Sequence, residues 1–131
     1  MILICMPASE SVAQRMAARS VDELAGTLRE AVMTADASGL MMQAAETVEI
    51  NLYGERRFYS RGQATLLLNE LFKDSRPVSC RILRSRRTPS AAFVEAQVEL
   101  EGEGETLWLV RYALQRGEWR IREMTVEVVD D

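Results

Sequence analysis

Histidine is absent from the 131 residues, and with it the side chain whose unperturbed pKa lies nearest neutrality and the commonest metal ligand. Acid–base chemistry would fall to carboxylates, tyrosine, lysine or cysteine. Cysteine occurs only at Cys5 and Cys80, far apart and outside any C-x-x-C pattern, so the sequence indicates neither a zinc site nor a disulfide framework. Cys80 reads as a small core residue, with a functional thiol as the alternative. The three prolines and seven glycines build no linker, and there is no repeat or low-complexity block. Long hydrophobic runs are also missing. The apolar opening Met1-Ile2-Leu3-Ile4-Cys5-Met6 is too short to span a bilayer, and no Lys or Arg precedes it as a secretory n-region requires. Residues 1–19 therefore read as an N-terminal arm or a remnant leader, and a lipobox at Cys5 lacks its basic flank. No membrane span is expected and the location expected is cytoplasmic, or exported if the N-terminus is mis-started. Finally, there is no positive excess: the net charge of −4 argues against a general affinity for nucleic acid, which depends on basic residues displacing counterions from phosphates.

What is present suits one globular domain, expected over residues 20–131. The apolar share of 47% with 27% charged residues supplies material for a single core. Ser20-Val21-Asp22-Glu23 has the S-x-x-E spacing of a capping box. Val21, Leu24, Leu28, Ala31, Val32 and Ala35 follow as one apolar stripe, with Gly39 as the expected terminator. A short second helix is expected over Leu40 to Ala45. Val48 to Leu52 alternates as a half-buried strand, and Tyr53 to Tyr59 reads as a turn and return strand. Ser60-Arg61-Gly62-Gln63 is a second capping box, opening a helix that buries Leu66 to Leu68, Leu71 and Phe72.

From Val78 the pattern changes to an antiparallel meander of strands: Val78 to Arg87, Ala92 to Glu101, Thr106 to Gln115 and Glu118 to Val129. Glu101 to Glu105 suits a three-residue hairpin loop and Arg116-Gly117 a two-residue turn. Counting from these turns sets Val98 opposite Trp108, Ala96 opposite Val110, Val94 opposite Tyr112 and Tyr112 opposite Ile121. These residues, with Leu114 and Trp119, share one face, and Val94, Ala96, Trp108, Val110, Trp119 and Ile121 are the expected pocket lining. The other face presents Phe93, Leu107, Leu109 and Arg111, with Glu95, Gln97, Glu99, Ala113, Arg120 and Arg122. It is more apolar than a solvated sheet needs and is a candidate homodimer surface.

Helix, short helix, strand pair, helix and a meander closing with Gly117-Glu118-Trp119-Arg120-Ile121 resembles the nuclear transport factor 2-like superfamily over about Ser20 to Val129. Within it, Tyr59-Ser60-Arg61-Gly62-Gln63-Ala64, Leu71-Phe72 and Pro77 resemble a bacterial family of unassigned function. The resemblance implies an α+β fold in which a strongly curved antiparallel sheet wraps the helices into a cone, often with a hydrophobic pocket at its open end. It also implies either a binding or scaffolding module or a cofactor-independent isomerase, dehydratase or hydrolase.

Catalytic relatives would need a carboxylate base in an apolar pocket, often beside a tyrosine. Strict alternation from Trp119 and Ile121 points Glu123 inward. A bulge near Arg122-Glu123 would instead turn Glu123 out and Met124, Val126 and Val128 in. Tyr112 falls on the inner face, and Tyr53 and Tyr59 flank the strand pair near the expected mouth. Asp36 and Glu46 are rim candidates, with solvated termini as the alternative. Glu95, Arg111 and Arg122 are expected to cluster on the outer face. Arg81, Arg84, Arg86 and Arg87 form one basic run, read as a solvated strand edge. Met33, Met41 and Met42 offer adaptable pocket lining or ordinary core filling.

The first functional expectation is a non-catalytic homodimer that binds a small apolar ligand or a protein partner through its cone pocket or outer sheet. The second is an enzyme using Glu123 as base and a tyrosine, foremost Tyr112, as hydrogen-bond donor. The third is an accessory domain with a filled cone. None calls for a cofactor or a metal.

Overall fold

The computed structural model describes residues 20–129. The expected arm, with Cys5, lies outside the described residues. In chain order the elements are α1 (Val21–Met33), α2 (Ala37–Met41), β1 (Ala44–Leu52), β2 (Glu55–Ser60), α3 (Arg61–Asp74), β3 (Pro77–Arg87), β4 (Ala91–Leu100), β5 (Gly104–Gln115) and β6 (Glu118–Val128).

Both capping boxes form. The Ser20 hydroxyl accepts from the Glu23 N–H at 3.1 Å while the Glu23 carboxylate accepts from the Ser20 N–H at 3.2 Å. Ser60 and Gln63 repeat this reciprocity at 3.2 and 2.9 Å. Each box satisfies backbone donors that a helix start would otherwise leave open.

The end of α1 departs from expectation. Ala35, at φ 53°, takes the left-handed position, donating its N–H to Val32, while Asp36 donates to the Ala31 carbonyl at 2.8 Å. This is the double hydrogen bond of a Schellman motif, with alanine where glycine is usual. Gly39 is not the terminator. It sits inside α2, where Asp36 caps the helix by accepting the Gly39 N–H at 2.9 Å, and a Cβ there would collide with the Asp36 carboxylate. The expected Leu40–Ala45 helix therefore starts earlier, and β1 takes over from Ala44.

The six strands lie in the order β2-β1-β6-β5-β4-β3. All pairs are antiparallel except β1–β6, which is parallel. Tyr53-Gly54 (φ 54° and 90°) and Arg116-Gly117 (φ 51° and 80°) close two hairpins with left-handed backbone at both turn positions, the type I′ geometry that matches strand twist. The β4–β5 loop has the expected three residues but begins one residue earlier: Leu100 pairs with Gly104, so Ala96 faces Trp108, Val94 faces Val110 and Ala92 faces Tyr112. The slip from the counted register is even, so every side chain keeps its predicted face.

The helices cover the inner face of the sheet. Leu24, Leu28, Leu40, Met41, Leu68 and Phe72 join Val94, Ala96, Val98, Trp108, Val110, Tyr112, Trp119 and Ile121 in one buried cluster. The Phe72 and Trp108 rings stack with centroids 6.1 Å apart. Buried Thr106 lets Trp108 enter this core: its hydroxyl donates to the Val98 carbonyl at 2.7 Å and accepts the indole N–H at 3.0 Å. The result is an α+β cone, a strongly curved sheet wrapped around its helices.

Candidate functional site

The six expected pocket-lining residues, Val94, Ala96, Trp108, Val110, Trp119 and Ile121, are each at most 2% exposed. They fill the inner face as packed core, so they act as its filling where a lining was expected. Tyr112 is fully buried among them. Trp119 lies beneath the Arg87 guanidinium, whose carbon stands 5.0 Å from the ring centroid, and its indole N–H finds no acceptor among the described residues. Leu114, counted onto this face, lies at the strand end and is 39% exposed.

Glu123 is not part of this interior. On β5, Arg111 pairs with Glu123 but Tyr112 pairs with Ile121, so Arg122 is an extra residue and the alternation resets. Met124 and Val126 then point inward and are at most 1% exposed, whereas Val128, at the strand end, is 44% exposed. The Glu123 carboxylate emerges on the outer face and accepts from Arg111 at 3.1 Å. Glu123 and Tyr112, the expected base and donor, thus stand on opposite faces of the sheet and do not share a site. The expected Glu95–Arg111–Arg122 cluster is also rearranged: Glu95 pairs with Arg84 at 3.3 Å, and Arg122 lies elsewhere.

The outer face carries a groove of about 340 Å³ lined by Arg84, Arg86, Phe93, Glu95, Leu109, Arg111, Glu123 and Thr125, floored by the Val94–Val110 pair. The Arg86 guanidinium stands 5.5 Å from the Phe93 ring centroid, an attractive cation–π geometry. Phe93, Leu107, Leu109 and Arg111 all lie on this face, as counted, because β4 and β5 alternate without interruption. The basic run falls on β3, at the sheet edge, where Arg84, Arg86 and Arg87 contact Glu95, Phe93 and Trp119 and Arg81 donates to Gln97 at 2.8 Å.

A second cleft, of about 650 Å³, gathers Arg61, Arg116, Arg120 and Arg122 with Glu46, Glu118, Thr47 and Gln115. It was not foreseen. It forms where β1 and β6 splay: Ala44 pairs with Ile121 and the next pair is Glu49 with Glu123, so residues 45–48 stand against Arg122 alone. Arg61 is tethered by donating to the Ala44 carbonyl at 2.9 Å. Arg120 donates to the Met42 carbonyl at 3.0 Å and pairs with Glu118. Among the described residues neither the Arg116 nor the Arg122 side chain makes a hydrogen bond or an ion pair.

The remaining candidates are dispersed. Asp36 is the α2 cap and Glu46 borders the arginine cleft. Tyr53 occupies a hairpin turn, where burial, and then the Glu103 carboxylate, push its phenol up. Tyr59 packs against the core from β2. Met41 is core, whereas Met33 and Met42 are exposed. Cys80 is 6% exposed; burial pushes its thiol up, and the Arg29 guanidinium offsets this in part. Among the described residues no helix is long and apolar enough to cross a membrane.

This architecture is that of the nuclear transport factor 2-like, or cystatin-like, α+β proteins. Within that class, residues 25–127 match the model of a domain of unknown function, DUF4783, and the chain belongs to that family. The structure is similar to a DUF4783 protein from Bacteroides ovatus, with a TM-score of 0.75 at 11% identity over 80% of this chain and 94% of that one. It is similar also to a nuclear transport factor 2-like protein of unknown function from Silicibacter pomeroyi, with a TM-score of 0.61 at 16% identity over 92% and 100% of the two chains. A de novo designed protein with a curved β-sheet superposes with a TM-score of 0.68 at 19% identity, covering 82% of this chain and 99% of the design. No curated protein is similar to the chain at a significant level. At these identities the likeness shows the fold alone.

Proposed function

We propose that this protein is a non-catalytic interaction module, formed by the chain from Ser20 onward, that pairs with a second copy of itself through the outer face of its sheet. The observation that carries this reading is the distribution of apolar and charged groups between the two faces. The inner face is occupied by the molecule's own aromatic side chains, so an apolar ligand in the cone would have to displace Trp108, Tyr112 or Trp119. The outer face places Phe93 and 38% exposed Leu109 around a groove rimmed by Arg84, Arg86, Arg111, Glu95 and Glu123. Both signs of charge sit on one patch. A two-fold axis through such a patch can set arginines of one copy against glutamates of the other, the self-complementarity that an isologous interface requires. Surface ion pairs add only about 0–1 kcal/mol each, so the apolar strip supplies the affinity and the charges set the register.

Sedimentation equilibrium at micromolar protein tests this. The wild type is expected to be a dimer and Leu109→Arg a monomer with unchanged circular dichroism. A wild type that stays monomeric, or a folded Leu109→Arg that still dimerises, removes the outer face from the proposal.

A further inference from the structure

We infer that the arginine cleft between β1 and β6 is a binding site for a small molecule carrying a dianionic oxyanion head, a phosphate or a paired carboxylate. The inference is independent of the dimer reading, because the cleft and the outer-face groove have no lining residue in common.

Charge is the first observation. In a chain of net charge −4, the cleft collects four guanidinium groups against two carboxylates, a local excess of +2. Glu118 is already engaged by Arg120, and no ion pair joins Glu46 to any arginine among the described residues. Arg116 and Arg122 therefore face the cleft with their donors open. Like charges held together repel one another, and a dianion would relieve that repulsion. Guanidinium forks match the geometry of phosphate and carboxylate oxygens in paired hydrogen bonds.

The backbone is the second observation. Arg122 is unpaired on both sides, against β5 and against β1. A bulge re-aims a side chain that the regular pleat would send elsewhere, and here it delivers a guanidinium into the splay. Arg116 occupies the first left-handed position of the type I′ turn, where asparagine, aspartate or glycine is favoured. Arginine at that position gives up turn stability and places another cation at the cleft. The volume of about 650 Å³ lies within the roughly 300–1,000 Å³ of small-molecule sites.

The test is titration of the protein with inorganic phosphate, followed by amide NMR at constant ionic strength, with sodium chloride as the reference and succinate as the carboxylate arm. Saturable shifts confined to residues 45–47, Arg61 and 115–122 are expected with phosphate, succinate or both, and which of the two binds identifies the head group. Arg122→Gln is expected to weaken binding by about tenfold or more, the loss of a hydrogen bond to a charged group. Arg116→Asn provides the control for folding: it is expected to raise the melting temperature, as Asn-Gly suits the turn, and still to weaken binding. Shifts no larger than with chloride at millimolar anion, or unchanged affinity in both variants, would overturn the site.

Discussion

Single side chains decide how this core tolerates polar atoms. Thr106 is the clearest case, because its hydroxyl is fully buried and serves both the Val98 carbonyl and the Trp108 indole N–H. Thr106→Val keeps the shape and removes both bonds, leaving a buried indole donor without an acceptor. The expected loss is about 1–3 kcal/mol, read from urea unfolding, with a change in tryptophan emission. Only half of this role is local in the sequence. The tryptophan lies two residues along the same strand, but only the pairing of β4 with β5 brings the Val98 carbonyl to the hydroxyl. Glu123 makes the converse point. Alternation from Trp119 and Ile121 alone points its carboxylate inward, yet one extra residue sends it to Arg111.

At the scale of elements, what was legible was local. Both capping boxes and the Arg116-Gly117 turn are short patterns whose physics is complete within a few residues, and all three form as read. The end of α1 was misread because the chain puts alanine in a conformation that favours glycine, while the nearby glycine answers a steric need inside α2. The prediction is that Ala35→Gly stabilises the protein by about 0.5–1 kcal/mol, since relief of left-handed strain exceeds the entropy that glycine adds to the unfolded chain. Thermal unfolding measures it, and a lower melting temperature would mean that Ala35 is not strained. The arginine cleft was illegible for a different reason. Arg61 and Arg122 belong to a helix start and a late strand, and only the parallel β1–β6 pairing, which no local pattern encodes, brings them together.

For the whole molecule, stability should fall on the alkaline side. The folded state raises the Cys80 thiol above its ordinary value through burial. Above about pH 8.5 the unfolded chain therefore releases a proton that the folded chain keeps. The native state then binds more protons than the unfolded one, and linkage makes stability decline as pH rises through that window. Tyr53 acts in the same direction at higher pH. Urea midpoints from pH 7 to 10 should decrease, and Cys80→Ala should flatten the part nearest the thiol window. In the same range, native Cys80 should react with a thiol reagent far more slowly than unfolded protein.

The extra residue in β6 also bears on how the chain accepts a change in length. Remove Arg122 in thought and the order becomes Trp119, Arg120, Ile121, Glu123, Met124, Thr125, Val126, which alternates inward and outward without a fault. The strand that remains already matches the inner and outer faces observed. Arg122 therefore behaves as an insertion that packing does not ask for. A version of this sheet without it would keep its core and would lose a guanidinium from the cleft between β1 and β6.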